Sequence, residues 1–124
     1  MFQLAEDRVY ILRSMILSLT MIIALSIITY AIITWGADIG LPLDSITSRV
    51  ILIILTGIHA LFLIVFLGNL MEYYRREPGI ITMLFIVIIE LIYIYSIGLS
   101  NDNILFSGSI AAVLLALIYT LIAT

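Results

Sequence analysis

Residues 80–98 read IITMLFIVIIELIYIYSIG, and the reading of this stretch decides the fold. A single charged side chain, Glu90, interrupts a run of isoleucine, leucine, phenylalanine and tyrosine. At about 1.5 Å of rise per residue, a helix of this length crosses a hydrocarbon layer about 30 Å thick. Isoleucine would favour a strand in water. In lipid an open strand leaves N–H and C=O groups without partners, so the segment must close its own hydrogen bonds as a helix.

Three further runs repeat the pattern: Leu12 to Trp35, Val50 to Tyr74 and Leu105 to Ala123, with the first stretch spanning Ile80 to Gly98. Across the chain 65% of residues are hydrophobic and 10% charged, and the mean hydropathy is +1.33. Soluble domains are about a quarter charged, so water is not the solvent of this chain. The expectation is an all-α, integral membrane four-helix bundle forming one domain over residues 1–124. Leu12 to Trp35 is longer than the apolar core of a cleaved signal peptide and lacks a small-residue cut site, so it reads as a retained helix.

The polar breaks punctuate these helices. Gly36 to Thr47 contains Gly36, Gly40, Pro42 and the candidate N-cap Asp44. Arg75 to Gly79 is short enough to fold the second and third helices into a tight antiparallel hairpin, with Pro78 suited to a first helical turn. Asn101 or Asp102 is a candidate N-cap for the fourth helix. Arg8, Arg13, Arg75 and Arg76 fall on one side of the layer, whereas Arg49 stands on the other with Asp38, Asp44 and Asp102. The positive-inside rule therefore predicts both termini in the cytoplasm. Trp35, Tyr10, Tyr73 and Tyr74 fall at span ends, where amphipathic rings anchor.

Packing signals are clearest in the fourth helix. Gly108, Ala112, Ala116, Thr120 and Thr124 recur every fourth residue, a smooth stripe that lets another backbone approach. The stripe fits a seam within the monomer, the preferred reading, or an interface between copies. In the first helix Ser14, Ser18, Ala24, Ser26 and Thr29 form a looser small-polar set whose hydroxyls can return to their own helix carbonyls.

Chemistry-bearing residues inside the spans are few. Glu90 lies about 16 Å into the layer, near its midplane, where an ionised carboxylate is costly. It is either part of a proton or ion path or a protonated, hydrogen-bonded packing residue. His59, the single histidine, lies about 13 Å from the opposite surface. The hairpin can bring it to Glu90, although counting from the turn leaves an axial offset of about 6 Å. Tyr93, one turn from Glu90, can join the pair. The structural alternative is a histidine satisfied by a neighbouring carbonyl.

At the hairpin, Glu72, Arg75 and Arg76 form a solvated anchor or a contact for a lipid headgroup or partner protein, with Glu72 at helical spacing to pair with either arginine. Arg49 can reach the headgroups or pair with Asp44 or Asp38. Cysteine and lysine are absent, and there is no glycine-rich phosphate loop. No catalytic residue, metal site or cofactor is predicted, and without a basic surface nucleic acid is not an expected partner.

From Val50 to Thr124 the layout resembles the PsiE-like (phosphate-starvation-inducible) small membrane proteins of prokaryotes. The features carrying the resemblance are EYYRREPG (Glu72 to Gly79), a midspan charge in the third helix, the break SNDN (Ser100 to Asn103) and a small-residue fourth helix. The resemblance implies a four-helix inner-membrane protein and carries over no catalytic residue. The expected function is a non-enzymatic accessory subunit of a larger membrane complex or a homo-oligomer, in contact with membrane lipids. Two other classes stay open: a minimal proton or ion conduit using Glu90 and His59, and a lipid- or quinone-contacting subunit of a respiratory or oxidase-type complex.

Overall fold

A computed structural model describes residues 2–42, 44–74, 76 and 79–123, with side chains from Arg8 onward. The order of elements is α1 (Phe2–Trp35), a 3-10 turn (Gly36–Ile39), α2 (Ile46–Tyr73), α3 (Ile80–Ile97), a second 3-10 turn (Leu99–Asn101) and α4 (Asn103–Ala123). All four helices are long and apolar enough to cross a membrane, and no strand occurs among the described residues. Four such helices are those of a small membrane protein.

Helix boundaries differ from the sequence reading mainly at the amino end. The helix α1 begins at Phe2 rather than near Leu12, because charged residues end an apolar run without ending a helix. Ser45, not Asp44, caps α2, its hydroxyl accepting from the Ser48 N–H at 3.1 Å. Asp102 caps α4, its Oδ1 accepting from Ile104 N–H at 2.9 Å. Gly98 ends α3 at φ 98°, a left-handed conformation that glycine adopts without Cβ strain.

The contacts fix direction and neighbours. Arg49 meets Asp102 and Ile53 lies beside Gly108, so α2 and α4 run the same way. Arg8 and Ser14 near the start of α1 meet Tyr73 and Asn69 near the end of α2, so these two helices oppose each other. Helix α3 begins shortly after α2 ends, meets it at mid-length through His59 and Glu90, and runs back alongside it. The bundle is therefore up-down-up-down. Helix α2 is its hub: it comes close to α1 along one side and α4 along another, while α3 stands off from all three.

Small residues explain the difference. A Cβ built on Gly57 would meet the Ala112 Cβ at 3.5 Å, and one on Gly108 would enter the space of the Ile53 side chain. Thus Gly108, Ala112, Ala116 and Thr120 face inward rather than to the bundle exterior, with Ala116 buried and the other three partly so. Helix α3 offers no comparable stripe. Its inward face is Ile86, Glu90 and Ile94, bulky residues that hold its backbone away.

Candidate functional site

Glu90 is the middle residue of that inward face, placed there by the four-residue spacing that also turns Ile86 and Ile94 inward. Across from it, His59 belongs to the buried face of α2 with Leu52, Thr56, Ala60 and Leu63. Their side chains meet in a hydrogen bond of 2.7 Å between His59 Nδ1 and Glu90 Oε1. Exposure is 3% for His59 and 1% for Glu90, so the bond is sealed from the bundle's surroundings. One proton serves it in either arrangement, donated by an imidazole N–H to a carboxylate or by a carboxyl O–H to the imidazole. The axial offset expected from the hairpin count does not separate the pair.

Tyr93 joins the pair by its ring rather than its hydroxyl. It stacks on the His59 imidazole with centroids 3.8 Å apart and planes 9° from parallel, which fixes the imidazole plane for the bond to Glu90. The Tyr93 hydroxyl turns towards Ser26 and Thr29 of α1. It is buried and without a hydrogen-bond partner, as is Glu90 Oε2. The polar centre thus touches three helices: α2 through His59, α3 through Glu90 and Tyr93, and α1 through the Tyr93 hydroxyl.

The remaining intramembrane hydroxyls on α1 and α2 mostly close on their own helices. Ser18, Ser26, Thr29 and Thr56 donate to carbonyls four residues earlier, at 2.7 to 2.8 Å. A small void of about 30 Å³ lies between α3 and α4 beside Glu90, with an apolar wall. No polar chain leads from Glu90 through that void.

Two polar ties sit at the ends of the bundle. Asn69 donates to the Ser14 hydroxyl at 2.6 Å, joining α2 to α1 near the hairpin. At the opposite end Arg49 donates twice to Asp102 Oδ2, at 3.1 and 2.8 Å, rather than to Asp44 or Asp38. The sequence reading missed this tie because Asp102 is remote along the chain and becomes adjacent only when α2 and α4 lie side by side. Desolvation raises the Asp102 pKa, but the N–H groups of Leu105 and Ile104 and the Arg49 guanidinium together hold it below the usual carboxylate value.

At the hairpin, Arg76 is exposed and its N–H donates to Met71 O at 2.8 Å, while Arg75 lies outside the described residues. No ion pair joins Glu72 to Arg76 among the described residues. Arg8 instead places its guanidinium 5.7 Å from the Tyr73 ring centroid, linking α1 to the end of α2. No group of three metal-binding side chains gathers among the described residues. Comparison with protein-family models, with curated proteins and with solved structures returns no match.

Proposed function

We propose that this chain is a non-enzymatic, multi-pass membrane protein that works by assembly, as a homo-oligomer or as an accessory subunit of a larger membrane complex. The supporting observation is the division between inside and outside. The midspan polar pair is closed within the bundle, whereas every helix turns large apolar side chains outward, among them Leu17, Ile54, Phe85 and Leu115. Such a surface presents packing area to lipids and to other membrane helices rather than an open reaction site. The arginine distribution supports a plasma-membrane orientation with both termini cytoplasmic, and the PsiE-like layout supports the same class of protein.

Purification in a mild detergent tests this reading. The expected result is a species several times heavier than the 13.9 kDa chain, made of copies or co-purifying subunits. A lone chain in every mild detergent, together with no crosslinks in native membranes, would overturn it.

A second reading, a proton conduit, is favoured by the unpartnered Oε2 of Glu90 beside the His59 bond. Proton flux into proteoliposomes that disappears in Glu90→Gln supports conduction. Equal flux in the two proteins rejects it.

A further inference from the structure

Where α1 and α3 part, a shallow groove of about 360 Å³ opens on the flank of the bundle. Ser26, Ile27 and Tyr30 of α1 and Tyr93, Ser96 and Ile97 of α3 line it. Its deep end lies at Ser26 and Tyr93. Its rim, at Tyr30 and Ser96, faces the half of the layer nearest the Gly36–Ile39 turn.

Three properties define what fits there. First, among the described residues the exposed hydroxyls of Tyr30 and Ser96 make no hydrogen bond, and that of Tyr93 makes none of close geometry although it turns towards Ser26 and Thr29, whose own hydroxyls donate to their helix carbonyls. Uncommitted O–H donors in a hydrocarbon layer favour a ligand that brings an acceptor. Second, no cation lines the groove, and Arg49 on the same side of the layer is occupied by Asp102. A phosphate headgroup would therefore find no countercharge. Third, two tyrosine rings contribute to the wall, alongside Ile27, Ile97 and the small side chains of Ser26 and Ser96. Aromatic faces favour a flat ring, and the volume suits such a head with the first carbons of a tail.

We infer that this groove binds a lipid-soluble molecule with a flat, uncharged, carbonyl-bearing head of the quinone class. The head lies against Tyr30 and Tyr93 and accepts from the Ser96 and tyrosine hydroxyls, while the tail runs out between lipids. Tyr93 then contacts the ligand on one side and the His59–Glu90 bond on the other, so occupancy and the polar centre share one side chain. This site stands independently of the assembly reading.

The protein carries its own reporter. Trp35, the single tryptophan, meets Tyr30 edge-on with ring centroids 6.1 Å apart. Decylubiquinone is titrated into the full chain in zwitterionic nanodiscs while Trp35 emission is followed. The expected result is saturable quenching, weakened about tenfold by Ser96→Leu, which fills the rim from an exposed position, and unchanged by Ser107→Leu on exposed α4 surface. Tyr93→Phe keeps the ring and removes the donor, and it is expected to weaken binding while leaving thermal stability near that of the parent. Quenching that rises linearly with quinone and equally in the parent and Ser96→Leu would overturn the inference. Equal displacement by didecanoyl phosphatidate would also overturn it, because the groove would then not select an uncharged head.

Discussion

A carboxyl group and an imidazole facing each other in hydrocarbon are worth more together than either is alone. The Glu90–His59 bond satisfies groups that would otherwise be stranded, so removing one partner costs more than removing both. His59→Leu is expected to lower stability by about 2 kcal/mol, and His59→Leu with Glu90→Leu to recover a large part of it, as read from unfolding in mixed micelles. A double variant no more stable than His59→Leu alone would count against the coupling. Asp102 makes a different prediction. Because its folded pKa is lowered, its contribution is complete above the ordinary carboxylate value of about 3.9 and is lost as pH falls through the lower folded value. Asp102→Asn should flatten this acid limb of the stability profile. Glu90 and His59 were legible in the sequence because polarity at a known depth is conspicuous. Their contact was less so, since counting residues from the hairpin placed the two at different depths.

Among the elements, backbone approach follows side-chain size. Helices α2 and α4 close on each other through Gly57, Gly108 and Ala112, whereas α3 lacks small residues along its inward face and relies on Ile86, Glu90 and Ile94. Gly108→Val should push α4 off Ile53 and cost about 1–3 kcal/mol, while Gly68→Ala, where a Cβ meets nothing within 4 Å, should be near neutral or mildly stabilising. Thermal denaturation of the two variants in one detergent makes the comparison. Equal midpoints would deny the seam its role. The existence of all four helices could be read from hydropathy because lipid leaves the backbone few alternatives. The start of α1 could not, because Glu6, Asp7 and Arg8 end the apolar signal while remaining compatible with a helix. The stripe on α4 was visible as a repeat, yet the sequence did not say which helix it meets.

At the scale of the whole molecule, four alternating spans put both ends of the bundle on one side, and the arginine placement is the basis for our proposal that this side is cytoplasmic. In cells, Gly40→Cys should react with an impermeant maleimide from outside, and Glu72→Cys only after permeabilisation. The reverse pattern would invert the topology without altering the bundle. Neighbours across the bundle were the least legible level: short connections imply α2 against α3, but the close partners of α2 are α1 and α4. The Arg49–Asp102 tie is the sequence-distant mark of that arrangement. It also sets a timetable for biosynthesis. The face of α2 that includes Gly57 waits through the synthesis of α3 for its true mate, so a nascent chain leaving the ribosome holds that face uncovered until Ala112 is inserted.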